Sequence, residues 1–219
     1  MTLSKKVIII IPAFNEEKTI ETVVKKSAQF AQEIIVVDDN SSDQTAAKAT
    51  GAGAIVIRHE QNKGYDASLE DGFREAAQRG ADIFVTCDAD GQHNPEDIPR
   101  LTSLISGGQA DVVIGQRQKL THVAEKLFAF YTRIFFGIKD PLCGLKAYSR
   151  KVYEVVGHFD TLQSIGTQLT VEAIKRGFMV KKIPIIVADR RDTSRFYFKK
   201  LKANLKILKA FLKIVFLTK

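Results

Sequence analysis

The chain is 219 residues long, 45% hydrophobic and 26% charged, with a net charge of +8 at pH 7. That length and composition support a substantial buried core and exclude a disordered chain. The placement of charge excludes a globally basic nucleic-acid binder, because residues 195–219 hold one arginine and seven lysines with no acid while the remainder balances 25 bases against 25 acids.

In chain order, residues 7–11 form a continuous β-branched run, and residues 33–37, 54–58, 83–87 and 111–115 repeat the theme at intervals that admit helices. This is the rhythm of a mostly parallel central sheet with helices on both faces, an α/β fold. Between the first two strands, Asn15 is placed to cap a helix whose first turn carries Glu16 and Glu17 and whose apolar positions are Ile20, Val23, Val24, Ser27 and Phe30 or Ala31. Residues 43–50 and 67–79 read as further crossover helices. After Gly115 come an aromatic-rich helix over 121–136, a turn over 140–144, a helix over 164–176 and a strand over 179–187. No internal repeat or low-complexity linker interrupts the chain, so the expected organisation is one domain over 1–192, in two halves that meet at about residues 117 and 118, followed by a tail over 193–219.

Cys87 and Cys143 lack metal-ligand spacing and read as reduced thiols of a cytosolic compartment, neither of them a nucleophile. The first strand begins within six residues of Met1, which leaves no room for a secretory leader. No apolar run reaches the ~20 residues needed to span a bilayer. The expectation is a protein on the cytosolic side.

The most informative local feature is Asp88, Ala89, Asp90, Gly91 and Gln92, directly after the apolar run Ile83 to Cys87. If the strand continued, Asp88 and Asp90 would share a face and Gln92 would add a neutral carbonyl oxygen to it. Such oxygen ligands suit Mg²⁺ or Mn²⁺, and a site with two carboxylates and no histidine cage suits an ion that shares its shell with substrate phosphates. Two solvated aspartates in a turn before a helix near Pro95 are the alternative reading. In an open parallel sheet ligands gather beyond the carboxyl ends of the strands, where residues 12–17, 38–43 and 88–92 all fall.

The tail differs in kind. At 100° per residue, Lys199, Lys202, Lys206, Lys209 and Lys213 fall within an arc of roughly 80°, and Leu201, Leu205, Leu208, Phe211, Leu212 and Val215 cover a wider opposite face. This cationic amphipathic helix either packs on the core with a solvated lysine stripe or lies on an anionic membrane surface through residues 196–219. Phe196, Tyr197, Phe198, Phe211 and Phe216 supply interfacial bulk, and each nearby lysine would contribute ~1 kcal/mol.

Taken together, residues 11–17 (Ile-Pro-Ala-Phe-Asn-Glu-Glu), 36–43 (Val-Val-Asp-Asp-Asn-Ser-Ser-Asp) and 88–93, then Gly115 to Arg117 and residues 140–144 (Asp-Pro-Leu-Cys-Gly), resemble the family 2 inverting glycosyltransferases, most closely the dolichyl- or polyprenyl-phosphate mannose synthases and their glucosyl relatives. The resemblance implies a GT-A type fold. It implies that Pro12, Ala13, Glu16 and Asp39 hold the nucleoside, that Asp88 lies near the sugar and diphosphate, and that Asp90 and Gln92, with Asp88 beside them, bind Mg²⁺ or Mn²⁺. It further implies that Arg117, Arg191, Ser194 and Arg195 face a lipid phosphate. Residues 38–43 taken alone also fit a helix-capping loop. Two segments depart from the family pattern, both on the acceptor side: residues 121–125 lack the usual arginine ahead of the aromatic helix, and residues 189–195 replace the usual glycine-rich stretch.

The expected chemistry is metal-dependent transfer of a hexose, mannose or glucose, from a nucleotide-diphosphate sugar to a polyprenyl or dolichyl monophosphate at the cytosolic membrane face, with a membrane-spanning partner subunit conceivable. A phosphate monoester with its second pKa near ~6 is already ionised and needs no general base. A hydroxyl acceptor on a soluble or surface glycan would need one, and Asp140 is the nominee. A non-catalytic, membrane-associated nucleotide-sugar binding module is the third reading.

Overall fold

The computed structural model describes residues 5–120, 122–188 and 200–217. In chain order the elements are β1 (Val7–Ala13), α1 (Ile20–Ser27), β2 (Glu33–Asp38), α2 (Thr45–Gly51), β3 (Ile55–Arg58), α3 (Tyr65–Gln78), β4 (Ile83–Thr86), α4 (Ile98–Ser106), β5 (Val112–Arg117), α5 (Val123–Phe136), β6 (Lys146–Ser149), α6 (Arg150–Val156), α7 (Gln168–Lys175), β7 (Val180–Ile185) and α8 (Lys200–Leu217). The strands form one seven-stranded sheet in the order β3-β2-β1-β4-β6-β5-β7. All pairings are parallel except those of β6, which runs antiparallel to both β4 and β5.

The uninterrupted apolar run of β1 follows from burial on both faces. Val7, Ile9 and Ile11 pack with Ile20, Val24, Ile98 and Leu101 on the α1–α4 side, whereas Ile8 and Ile10 pack with Leu69, Phe73 and Leu169 on the α3–α7 side. A third, smaller cluster joins Phe128 of α5, Val171 of α7 and Ile207, Ala210 and Ile214 of α8. The sheet order reverses beside β1, whose neighbours are β2 and β4, so the loops after these three strands open on one crevice at their carboxyl ends.

Four sequence expectations need correction. Asn15 does not cap a helix: its backbone is left-handed (φ 52°), α1 starts only at Ile20, and the Asn15 side chain instead accepts from Ser42 N at 2.8 Å, tying the loop after β1 to the loop after β2. Asp88 and Asp90 do not continue an extended strand, because β4 ends at Thr86 and the chain turns through Gly91 at φ 74°. The helix expected from residue 164 begins at Gln168, and the preceding turn holds Gln163 and Ile165 at φ 57°. The tail helix turns inward not on its wide leucine face but on the narrow stripe Ala203, Ile207, Ala210 and Ile214, all buried. β6 and α6 were not expected; four residues with a lysine among them carry little strand signal.

Candidate active site

The crevice is built by three loops. After β1, the Glu16 backbone N–H donates to Thr45 Oγ1 at 2.7 Å and Asn15 N–H to Ser41 Oγ at 2.8 Å, so the first loop is sewn to the second. Asp43 accepts from Thr45 N at 3.0 Å, as expected of a helix-entry loop, and from Glu17 N at 3.2 Å. Asp90, on the third loop, faces them across a cleft of about 210 Å³ lined by residues 15–19, Asp43 and Asp90.

Pro12 and Ala13 are the last two residues of β1, buried and paired in register with Val37 and Asp38. One residue beyond β2, Asp39 is buried and held by five groups, one of them Asn62 Nδ2, which donates to its carbonyl oxygen at 3.2 Å. Oδ1 accepts from Lys63 N at 2.7 Å and lies 2.8 Å from His59 Nδ1, Oδ2 accepts from Gly64 N at 2.8 Å, and its own N–H donates to Ala13 O at 2.8 Å. His59 in turn places Nε2 2.9 Å from Asp71 Oδ2, so the imidazole is bracketed by two carboxylates. Gly64, whose N–H is the second of two successive donors to Asp39, takes φ 93°, a conformation that favours glycine, as the chain turns into α3.

The next residue joins this half to the acidic loop, since Tyr65 Oη donates to Asp88 Oδ1 at 3.2 Å. His93 Nε2 lies 3.1 Å from Asp88 Oδ2. Burial alone would raise the Asp88 carboxyl, but the His93 and Tyr65 contacts and the nearby Arg117 outweigh it and hold it below the usual carboxylate range. The carboxylate also lies flat against Gly144, where a Cβ would stand 2.5 Å from Asp88 Oδ1 and closer still to Cγ. Thr86 Oγ1 donates to Gly144 O at 2.6 Å and fixes that backbone. Asp90 Oδ1 accepts from Gln92 N at 3.0 Å, and Gln92 Nε2 donates to Ala188 O at 3.1 Å, which orients the amide. His93 Nδ1 and Gln116 Nε2 are buried without a hydrogen-bond partner among the described residues.

On a divalent ion the donor set is informative. Among the described residues no three His, Cys, Asp or Glu side chains form a metal cage. A loop with the Asp90 carboxylate and the Gln92 amide oxygen fits a hard ion that fills its remaining positions with water and phosphate oxygens, as Mg²⁺ and Mn²⁺ do.

On the other side of Gly144, Asp140 is buried and clamped by Arg117. Arg117 donates to it from Nε (2.8 Å, to Oδ2), from Nη2 (2.8 Å, to Oδ1) and from its backbone N–H (3.0 Å, to Oδ2). Glu125, in the first turn of α5, adds a carboxylate 3.5 Å from Arg117 Nη2. Burial would lower the Arg117 pKa, but these two carboxylates more than reverse it, so the guanidinium stays charged. Burial pushes up both thiols, that of Cys143 to about 12, in keeping with unreactive cysteines. Lys146 is buried nearby with its pKa lowered by burial, and it spends Nζ on Pro141 O at 2.9 Å and Gly166 O at 2.6 Å, pinning the 140–144 turn to the loop before α7.

The structure thus gathers Pro12, Ala13, Glu16, Asp39, Asp88, Asp90, Gln92, Arg117 and Asp140 at one end of the sheet. Arg191, Ser194 and Arg195, expected at the lipid phosphate, lie outside the described residues. No role was expected of His59 or Tyr65, and Gly144 stood only as the last residue of the 140–144 motif; all three act through partners far away in the chain.

The seven-stranded sheet with helices on both faces is a GT-A type nucleotide-diphosphosugar transferase fold, as its match to solved structures of that fold shows. The chain belongs to glycosyl transferase family 2, whose family model matches residues 8–147, and it is a glycosyltransferase. It is 35% identical over 182 residues to the UDP-N-acetylglucosamine–dolichyl-phosphate N-acetylglucosaminyltransferase of Methanococcus voltae, covering 69% of this chain and 72% of that one. It is 31% identical over 213 residues to the polyprenol monophosphomannose synthase of Mycolicibacterium smegmatis, covering 85% and 79%. In fold it is similar to the glucosyl-3-phosphoglycerate synthase of Mycobacterium tuberculosis, crystallised with Mn²⁺, UDP-glucose and phosphoglyceric acid (TM-score 0.74, 22% identity, 95% of this chain and 79% of that one).

Proposed function

We propose that this glycosyltransferase transfers a hexose from a nucleotide-diphosphate sugar to a polyprenyl or dolichyl monophosphate, in one inverting displacement, while bound peripherally at the cytosolic membrane face. The observation that carries the acceptor class is the Arg117–Asp140 clamp. Both oxygens of the one carboxylate nominated as a base are committed to a guanidinium, which suits an acceptor that arrives already ionised and needs no proton removed. The planar fork of Arg117 is held in one orientation by Asp140 at the end of the crevice assigned to that anion. The names of the Methanococcus voltae and Mycolicibacterium smegmatis relatives support the same acceptor class.

In this reading Asp39, Pro12, Ala13 and Glu16 seat the nucleoside, and Asp88, steered by Tyr65 and His93, lies at the sugar–diphosphate junction. Asp90 and Gln92 would hold Mg²⁺ or Mn²⁺, which, when bound, offsets the charge that builds on the departing diphosphate. A lipid-phosphate oxygen forms the new bond to the anomeric carbon as the bond to the diphosphate breaks, and the nucleoside diphosphate leaves with the electron pair. The test is a donor panel (GDP-mannose, UDP-glucose, UDP-N-acetylglucosamine) with a short polyprenyl phosphate, with and without chelator, read by product mass. A polyprenyl phosphosugar formed from one donor and lost on chelation is the expected result. Nucleotide release that needs no lipid, or no lipid product from any donor, would overturn the reading.

A further inference from the structure

We propose that α5 and α8 together form one lipid-docking face, so that the membrane contact is shared by an internal helix of the catalytic domain and is not a property of the tail alone. Nine of the twelve large apolar side chains exposed among the described residues lie on these two helices, a concentration that marks a covered surface. On α5 they are Val123, Leu127, Phe130 and Ile134, spaced as one helical stripe, and Phe135, which lies round the helix against Tyr131. That stripe lies opposite the buried Phe128, Ala129 and Thr132. On α8 they are Leu205, Leu208, Leu212 and Phe216, opposite the buried Ala203, Ile207, Ala210 and Ile214.

The helices run side by side in the same direction. Ala124 N–H donates to Asn204 Oδ1 at 3.0 Å near one end, and further along the Tyr131 and Phe128 rings lie 5.3 and 5.6 Å from that of Phe211. Tyr131, its ring tilted against that of Phe135 at 4.6 Å, fills the seam. Each helix turns one stripe inward and the opposite one outward, which gives two parallel apolar ridges on one side of the molecule.

Charge selects the occupant. Lys206 and Lys209 on α8 and Lys126 and Arg133 on α5 are exposed on the flanks of these stripes, and α8 carries no acid. The one acid of α5, Glu125, is buried and turned to His122 N and Arg117. A second copy of this face would meet its own cations, and a purely apolar partner helix would leave them unmatched; an anionic bilayer satisfies both the ridges and the flanks. No helix among the described residues is long and apolar enough to cross a membrane, so the contact is interfacial. Resting on the lipid-acceptor reading for this step alone, the orientation is useful: the first turn of α5 touches Arg117 through Glu125, so docking α5 brings the acceptor end of the crevice to the lipid surface.

The chain has no tryptophan, so Phe130→Trp creates a single reporter. The whole protein is added to phosphatidylcholine vesicles with and without phosphatidylglycerol, and tryptophan emission and co-sedimentation are read together. The expected result is binding and a blue shift on the anionic vesicles only. Phe130→Ser with Ile134→Ser on α5 should weaken binding at least about tenfold, as should Leu208→Ser with Leu212→Ser on α8. Val155→Ser, an exposed apolar position elsewhere, should bind as the parent does. Lys126→Glu with Arg133→Glu, surface changes that leave the packed face alone, should weaken anionic binding too if the serine variants fold poorly. Binding that is unchanged by both α5 variants, equal binding to neutral vesicles, or self-association abolished by the same variants would overturn the proposal. Vesicle binding without sugar transfer would instead refute the functional reading and leave the docking face standing.

Discussion

Replacing Gly144 with alanine adds one methyl group at the point where the 140–144 turn touches the acidic loop. The methyl would stand 2.5 Å from Asp88 Oδ1, whereas ordinary contact begins at 3.4 Å, so one of the two must retreat by about 1 Å or more. The turn resists, because Gly144 O is held by Thr86 Oγ1 at 2.6 Å and Lys146 pins Pro141 O at 2.9 Å. The carboxylate therefore moves, and its contacts with Tyr65 (3.2 Å) and His93 (3.1 Å) break. A displacement of this size at a reacting centre costs about 100-fold in rate, or about 2.7 kcal/mol of transition-state stabilisation. The assay is kcat/KM for lipid-dependent sugar transfer alongside a thermal melt. Asp88→Ala and the double variant complete the cycle: if Gly144 matters only through Asp88, alanine at 144 adds almost nothing once Asp88 is gone. Near-native turnover of Gly144→Ala in a folded protein would refute the placement of Asp88 at the sugar–diphosphate junction.

Other perturbations test the remaining parts of the site. Asp140→Asn should leave measurable transfer to a lipid phosphate, reduced about 10- to 100-fold by loosening of Arg117; complete loss at an unchanged melting temperature would instead indicate a base and a hydroxyl acceptor. His59→Ala removes one donor from Asp39 and should raise the KM for the sugar nucleotide about tenfold with little change in kcat, whereas a fall in kcat at constant KM would place His59 in a different role. Burial, and the facing Asp160 carboxylate, raise the Asp66 pKa to about 7. The folded chain then keeps a proton that the unfolded chain releases near 3.8, so this pair's contribution to stability falls as pH rises from about 4 to about 7, by up to about 1.4 kcal/mol per unit. Asp66→Asn, which can still accept from Gly166 N, should flatten that decline in denaturant titrations at pH 5 and pH 8; an unchanged slope would mean that the pair shares no proton.

The β1, β2 and β4 strands were legible because burial on both faces demands uninterrupted apolar runs, and their carboxyl ends located Asp39, Asp88 and Asp90 at once. Asn15 misled because the carbonyl oxygen that caps a helix can equally accept from Ser42 in a neighbouring loop, and only the folded sheet brings Ser42 there. The even spacing of Asp88 and Asp90 suggested a shared strand face, but Gly91 lets the chain turn, and the two carboxylates part toward Gly144 and toward the cleft. β6 escaped notice since Lys146 disguises a buried strand, its charge being satisfied by carbonyls from Pro141 and Gly166. The lysine arc of the tail was legible from 3.6-residue periodicity, yet which apolar stripe turns inward was decided by tertiary packing, where Phe128 of α5 and Val171 of α7 receive Ile207, Ala210 and Ile214.

In the proposed reaction a divalent ion and a nucleoside diphosphate meet at the loop after β4. Crystals soaked with sugar nucleotide and manganese give the most direct measurement, through the anomalous signal of the metal. The expected peak lies about 2.1 Å from an Asp90 carboxylate oxygen and the Gln92 amide oxygen, with diphosphate oxygens completing the shell and Asp88 facing the sugar. A nucleotide bound elsewhere, or a metal peak with no contact to Asp90, would contradict it.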